Sequence, residues 1–469
     1  MAEAVKTSNN ERLIDTLAED RETLRDVVKR RFRKHTLGKI GLGILAVLYF
    51  MALFADILSP YTMAWTNKAK SYHPPSKVYF TYKDAAGKKH LRLWAYEQYN
   101  VNVALKKYGV IPPYSMRIIS LGTAPDRPEL RVVSTQKARG ARQSELLRAT
   151  ASFFQIAPGE AAYKELKRAV SEVEAAPDPD ERRHLILGER EYDGHTVPME
   201  VIIAKGNRNF LSFFHKGVPY RFLNLFNAQT HFFGSETGGF FMWGADRLGR
   251  DMVSRLLHGS RVSLTVGLVG AAISLVIGMI MGGLAGYFGG LTDTLIMRFS
   301  EIMYSIPSLY LLFALRSALP SGMPSTQVYL LIVAILSFIG WASLSRVIRG
   351  QVLSLKNEDF VMSARTMGLS HRKIIFRHIL PNTMSFTIIN TTLSIPGYIL
   401  GESALSLLGL GITEPQSSWG NMLSVARNYR VVQDFPWILT PGIAIFVAIM
   451  AWNFFGDGIR DALDPKSKH

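Results

Sequence analysis

Apolar positions fall into two regimes along this chain. Long unbroken runs occur once near the N-terminus, at Ile40 to Leu58. They then recur at Val262 to Tyr287, Ile302 to Leu319, Val328 to Ala342, Thr387 to Leu408 and Trp437 to Phe455. A membrane-crossing helix takes about 20 mostly apolar residues, so these runs predict about six such helices, some of them short. The long segment between the first and second runs reads differently. Lys77-Val78-Tyr79-Phe80-Thr81-Tyr82 alternates with the period of a strand, Asp84 to Lys88 supplies a turn, and Leu91 to Trp94 follows as a second strand. Ala161 to Ala175 has the spacing of a charged amphipathic helix that stops at Pro177-Asp178-Pro179-Asp180, and Val197 to Ile203 reads as another short strand. The aromatic tract Phe210 to Phe233 is interrupted by His215, Lys216, Pro219 and Arg221, a mixture suited to packing at a bilayer surface.

The first apolar run follows a long polar segment and exceeds the ~7–15 residues of a signal-peptide core, so it reads as an uncleaved anchor. Short loops rich in Lys and Arg stay in the cytoplasm. Lys29, Arg30, Arg31, Arg33, Lys34 and Lys39 precede the first run. Arg346, Arg349, Lys356, Arg365, Arg372, Lys373 and Arg377 follow the fourth, and Arg460, Lys466 and Lys468 close the chain. The turn Pro320 to Gln327 is uncharged. One arrangement satisfies all of these. Residues 1–39 form a cytoplasmic amphipathic segment, 40–58 the first span and 59–243 an extracytoplasmic insert; 244–469 form a core with a cytoplasmic loop at 346–382. The core then holds about five further spans. The expected fold class is an all-α polytopic membrane protein with a large α/β insert between its first and second helices.

Composition narrows the chemistry. The net charge of +17 would suit nucleic acid, but it divides between orientation signals and a basic external segment, and no zinc-finger spacing or aromatic RNA-binding motif accompanies it. Nucleic acid is therefore not an expected partner. The absence of cysteine excludes disulfides, zinc–thiolate sites, thiol nucleophiles and iron–sulfur clusters. In the insert, His73, His90, His184, His195, His215 and His231 show no HExxH spacing, and no GxSxG elbow occurs. Asp178, Asp180 and Glu181 alternate with prolines, which breaks a calcium-loop pattern and leaves a solvated acidic turn. No catalytic residue and no metal site is expected; the insert reads as a structural or docking domain.

The informative stretch is cytoplasmic: EDFVMSARTMGLSHRKIIFRHILPN, Glu358 to Asn382. Asp359 to Thr366 suits a helix, Gly368 permits a sharp turn, and Ser370 is placed to cap a second helix. Ile374, Ile375 and Phe376 set against Arg372, Lys373 and Arg377 make that helix amphipathic, and Pro381 predicts a break before the next span. Two short helices meeting at a glycine form a knob able to fit a cleft on a cytoplasmic partner.

This stretch resembles the EAA loop of binding-protein-dependent ABC transporter permeases, specifically the C-type subunit of dipeptide/oligopeptide permeases. Ala364, Arg365, Gly368, Ile379, Leu380 and Pro381 keep the family pattern, while Met362 and Ser363 stand where glutamate and alanine are usual; Glu358 and Asp359 lie beside them. GADRLGRDMVSRLLHGSRVSL, Gly244 to Leu264, is similar to the family's GTDxLGRDxxSRLxxGxRxSL, with Asp246, Gly249, Arg250 and Asp251 at its head. AGYFGG, Ala285 to Gly290, GESALSLLGLGI, Gly401 to Ile412, SWGNML, Ser418 to Leu423, and GDGIRDALDP, Gly456 to Pro465, continue the likeness in order, and KRRFRKHTLGKIGLGIL carries it to the N-terminus. The departure is the first external loop, far longer than is typical.

The resemblance implies the type I ABC importer permease fold in a bacterial inner membrane, with both termini cytoplasmic. It implies a B-type permease partner, two ATPase subunits and a solute-binding protein, with peptide as cargo. ATP and magnesium would sit on the ATPases, and no cofactor on this chain, which has no GxxxxGK[ST]. Nickel chelates, oligosaccharides or antibiotic peptides are alternative cargoes; a membrane-anchored external enzyme or sensor is a reading of another class. Within the membrane, Glu402 with Ser403 either lines the passage or is a hydrogen-bonded acid near the outer interface, where Pro396-Gly397 predicts a helix break. Arg316 either reaches water or binds a carboxylate, and Gly278, Gly282, Gly283 and Gly286 suit close helix packing. Asp246, Arg247, Arg250 and Asp251 suggest a charge network at the outer mouth.

Overall fold

The computed structural model describes residues 24–463 apart from 84–86, 103, 112–114, 119–130, 135–146, 149–150, 153–155, 179–180, 193–194, 224, 236–238, 319 and 321. Residues 1–23 of the N-terminal segment, parts of the turns expected at 84–88 and 177–180, and Lys466 and Lys468 lie outside the described residues.

A basic amphipathic helix, α1 (Leu24–Lys34), leads into α2 (Thr36–Leu53), whose first turn is capped by His35: its Nδ1 accepts the Gly38 N–H at 2.8 Å. A single further turn, α3 (Ala55–Leu58), ends the first membrane segment. The insert then builds β1 (Val78–Lys83), β2 (Lys89–Tyr96), β3 (Gln98–Asn102), β4 (Lys107–Val110), β5 (Ser115–Ile118), β6 (Arg131–Ser134), α4 (Ala161–Ala175), β7 (Arg182–Tyr192), β8 (His195–Ala204), β9 (Arg208–Phe222) and β10 (Phe226–Ser235). Sheets run in the orders β1-β2-β9-β10 and β6-β5-β8-β7, with β3 and β4 paired separately. Leu166, Ala169, Val170 and Val173 recur at helical spacing on α4, so one stripe of the helix packs on Leu187, Val201 and Ile203 of β7 and β8.

The tract Phe210 to Phe233 proves to be most of a long antiparallel hairpin, with Phe226 opposite Phe222 and Phe233 opposite Phe213. Its polar interruptions conceal strand character because a register shift near Ala228 and Thr230 disturbs strict alternation.

The core comprises α5 (Met252–Phe288), α6 (Gly290–Ser305), α7 (Ser308–Ser317), α8 (Ser325–Leu355), α9 (Asp359–Thr366), α10 (His371–Lys373), α11 (Leu380–Leu407), α12 (Trp419–Leu423), α13 (Tyr429–Asp434) and α14 (Thr440–Leu463). Four helical segments among the described residues are long and apolar enough to cross a membrane: Thr36–Leu53, Met252–Phe288, Ser325–Leu355 and Pro436–Leu463. The 28-residue α11 also exceeds the ~30 Å hydrocarbon thickness, although Thr, Asn, Ser and Glu402 lower its hydropathy. Gly282 and Gly286 let α5 lie against α8: a methyl at Gly282 would stand 2.5 Å from the Ser345 carbonyl oxygen, and one at Gly286 2.7 Å from Val352 Cβ.

Two expectations about helix continuity are corrected. The run Ile302 to Leu319 is not one helix but divides at Ile306-Pro307, where Ile306 is extended (φ −95°, ψ 124°) because the following proline disfavours helical backbone before it. Conversely, Pro396-Gly397 does not break α11, which runs through Pro396. Packed neighbouring helices tolerate an interior proline in membrane segments.

Candidate functional site

The loop at 346–382 folds as a braced knob. Asp359 lies in the first turn of α9, where a carboxylate suits the helix N-terminus. At the other end Gly368 adopts φ +73°, and the Leu369 N–H donates to the Ala364 carbonyl at 3.2 Å, a Schellman closure that turns the chain back. Val361 and Ala364 point inward. With Ile374, Ile375, Ile379 and Leu380 they form one buried cluster with Tyr287 of α5 and Leu344, Ile348 and Val352 of α8. The knob is thereby bolted to the ends of two long helices, and motion of one carries the other. The Arg365 guanidinium lies 5.1 Å over the Tyr287 ring, whose hydroxyl meets His371 Nδ1 at 2.9 Å.

Ser370 sits at the N-cap of α10 without donating or accepting a side-chain capping bond. Nor does Pro381 interrupt the chain, as its sequence context suggests. Residues Ile374–Ile379 widen into a π turn in which Leu380 N–H reaches Ile375 O, and the helix continues as α11 with Pro381 near its first position. A π turn spares the proline the clash that regular helical geometry imposes.

The outward face holds Glu358, Asp359, Arg365 and Gly368 together with Phe360, Met362, Met367 and Phe376, the last four 39%, 51%, 71% and 51% exposed. Sequence reasoning placed Phe376 with Ile374 and Ile375 on the packed side; the widened turn rotates it outward. It also missed the apolar face as a unit. The available signal was Met362, an apolar residue where the family has glutamate, with Phe360 and Met367 close by.

At the opposite end of the core, Asp246 organises a buried ion cluster. Its Oδ1 accepts the Leu248 and Arg250 backbone N–H groups at 2.8 and 2.9 Å. Its Oδ2 accepts Arg250 Nε at 2.8 Å and also Arg255 Nη1. Arg250 also donates to Glu414, and Arg255 Nε donates to Ser417 Oγ at 3.1 Å. Burial pushes the Glu414 carboxyl up, but the Arg250 hydrogen bond and the two guanidinium charges bring it net below its usual range. The same segment clamps the insert: Tyr72 N–H donates to Asp246 O and Ala245 N–H to His73 O, both at 2.8 Å. Gly249, at φ +71°, passes so close that an added Cβ would lie 1.7 Å from the Asn67 carbonyl oxygen.

Asp251 caps α5, accepting the Ser254 N–H at 2.7 Å and Ser254 Oγ at 2.8 Å. Burial raises its pKa from 3.8 to about 7, a shift that the Ser254 bonds oppose and the Asp246 charge adds to. The folded state then holds this proton more tightly than the unfolded chain. The corresponding stability is full below 3.8 and is lost as pH rises through about 7. In thermal unfolding of the purified complex from about pH 4 to about pH 8, wild type should lose ground against Asp251→Asn, which lacks the titration. Parallel curves for the two proteins would remove Asp251 as the source.

Glu402 is fully enclosed. Ser263 and Ser403 donate to its Oε2 at 3.1 and 3.4 Å, and Ser406 donates to Oε1 at 2.7 Å. Both Glu402 and Ser403 are buried within this chain, and the three serine hydroxyls supply the acid's hydrogen bonds. The Arg316 Nε donates to the Leu410 carbonyl at 2.7 Å.

Several helices long and apolar enough to cross a membrane, joined by a braced knob, define a polytopic membrane protein. Residues 274–469 match the family described as binding-protein-dependent transport system inner membrane component, and residues 23–75 match the N-terminal TM domain of oligopeptide transport permease C. The chain is 43% identical over 231 residues to the oligopeptide transport system permease protein OppC of Haemophilus influenzae, covering 49% of this chain and 72% of that protein. It is 37% identical over 253 residues to the Bacillus subtilis OppC, covering 53% and 77%, and 39% identical over 224 residues to the dipeptide transport system permease protein DppC of the same organism, covering 48% and 68%. The chain belongs to this family of inner-membrane ABC permeases, as a C-type subunit. The two family matches flank the insert and leave most of it unmatched.

Proposed function

We propose that this chain is the membrane-embedded C-type subunit of an ATP-driven importer of peptides of the dipeptide/oligopeptide class. Its N- and C-termini face the cytoplasm and its insert lies outside. It pairs with a B-type permease subunit, receives cargo from a solute-binding protein, and is driven by two ATPase subunits that hold ATP and magnesium. The observation that carries the reading is the knob: a projection fused through one apolar cluster to α5 and α8, with Phe360, Met362, Met367 and Phe376 exposed on it. Closure of the ATPases around ATP would displace the knob and shift the helices between outward- and inward-open states. The free energy enters as the difference in ATP affinity between those states.

The test is uptake of labelled peptides into vesicles holding the whole complex, with ATPase co-purification as a second readout. Burying a methionine or phenylalanine side chain stabilises by about 1.5–3 kcal/mol, so Met367→Asp should weaken ATPase retention at least about tenfold. Unchanged retention and uptake would exclude this face as the ATPase contact.

A further inference from the structure

Among the described residues, the β9–β10 hairpin carries the most conspicuous apolar surface outside the core. Leu223, Leu225 and Phe226 at its tip are 39%, 74% and 57% exposed. Such a cluster at the end of a two-stranded ribbon has no folding purpose in water. Its position gives it one. The Leu223 N–H donates to Asp56 Oδ2 at 3.2 Å, and Asp56 lies three residues beyond Leu53, where α2 ends. Asp56 is itself held by Arg261 of α5, whose Nη1 and Nη2 donate to it at 3.0 and 2.9 Å. Leu223 adopts φ +46°, an unfavourable backbone for leucine that this anchorage maintains. The hairpin tip is thus fixed at one boundary of a membrane-crossing helix, whichever way the chain is oriented.

A continuous apolar surface joins the two. On α2, Val47, Phe50 and Leu53 form one exposed stripe. From Phe50 a ladder of rings climbs out of the helix: Phe50 to Phe54 at 4.6 Å between centroids, Phe54 to Phe222 at 6.0 Å, and Phe222 to Phe226 at 5.2 Å. Arg221, exposed next to Phe222 in sequence, supplies a cation beside the ladder. Aromatic rings flanked by cations at the end of a span match the chemistry of the headgroup layer, where one end of a side chain is apolar and the other wet.

We propose that the hairpin tip, through Leu223, Leu225 and Phe226, inserts into the interfacial layer of the phospholipid bilayer beside the outer end of α2 and anchors the insert to the membrane surface. This rests on α2 crossing the membrane and not on the identity of the cargo. The insert would then be held at two points, the Asp246 clamp and the lipid surface, which fixes its tilt over the mouth.

The chain has no cysteine, so Leu225→Cys gives it a single thiol. With an environment-sensitive fluorophore on that thiol, the whole complex, its other subunits cysteine-free, is reconstituted in phosphatidylcholine–phosphatidylglycerol vesicles. Lys167→Cys, on the exposed face of α4, is the comparison. The Leu225 label should emit to the blue of the Lys167 label, lose most of its emission to lipids bearing a nitroxide near the headgroup, and be spared by aqueous iodide. The Lys167 label should behave in the opposite way. Quenching at Leu225 by iodide would place the tip in water, and resistance to both quenchers would place it under a protein partner; either overturns the proposal. Phe226→Cys repeats the measurement if Leu225→Cys fails to assemble, and retention of the ATPases in both variants certifies the fold independently of the lipid result.

Discussion

Valine at Gly368 should leave the complex assembled and its ATPases active but should abolish most peptide uptake. The backbone at this residue has φ +73°, and no atom lies within 4 Å of an added Cβ, so the penalty comes from the backbone conformation and not from a clash with neighbours. Left-handed backbone costs an ordinary residue about 1–2 kcal/mol, and a β-branched one more. That corresponds to a factor of roughly 5–30 against the closed turn, and hence against the Leu369-to-Ala364 bond that holds α9 to the following helix. An unlatched knob can still touch the ATPases, because Phe360 and Met362 precede the turn, but it no longer moves α5 and α8 as one body. Asparagine, which tolerates left-handed backbone and meets the same empty space, should restore uptake to near the wild-type level. The informative quantity is peptide moved per ATP hydrolysed in vesicles. Wild-type stoichiometry in the valine variant would end the lever account.

That argument shows how unevenly the sequence discloses the molecule. Helix α9 was readable to its first and last residues, because Asp359 opens it and Gly368 closes it with local chemistry that needs no tertiary context. The stripe Leu166, Ala169, Val170 and Val173 made α4 equally plain. Legibility failed where the outcome depends on neighbours. Pro381 and Pro396 look like helix breaks by their own chemistry, yet a π turn absorbs the first and α11 continues through the second, whereas Pro307 does break its run. Glu402 posed the same difficulty. An acid in an apolar run has several uses, and the convergence of Ser263, Ser403 and Ser406 on it comes from residues distant in sequence or within one helical turn. The β9–β10 hairpin was obscured because a register shift near Ala228 and Thr230 disturbs its alternation, and its tip is held by Asp56, far away in sequence.

Converting Asp246 to asparagine should cost the protein about 3–5 kcal/mol of stability, the usual penalty for removing one partner from a buried charge cluster. The substitution keeps the volume and one acceptor oxygen. It removes the negative charge that faces two guanidiniums whose side chains are only 6% and 4% exposed, those of Arg250 and Arg255. Glu414, 32% exposed, then remains as their one carboxylate among the described residues, and its nearest approach to Arg255 is a long 3.7 Å. The damage should extend beyond the ion cluster. Asp246 also fixes the Leu248 and Arg250 N–H groups, which shape the turn that brings Gly249 against the Asn67 carbonyl and so holds the insert to the core. We therefore expect a fall on the order of 10 °C in the thermal midpoint of the detergent-solubilised complex, together with earlier proteolysis of the insert. Glu414→Gln, at the exposed edge of the cluster, should cost about 1 kcal/mol or less. ATPase retention should be unchanged in both variants, since the knob lies at the other end of the core. If the two substitutions lowered the midpoint equally, Asp246 would not be the keystone of the clamp, and the insert would be held mainly by its own contacts with α3 and α5.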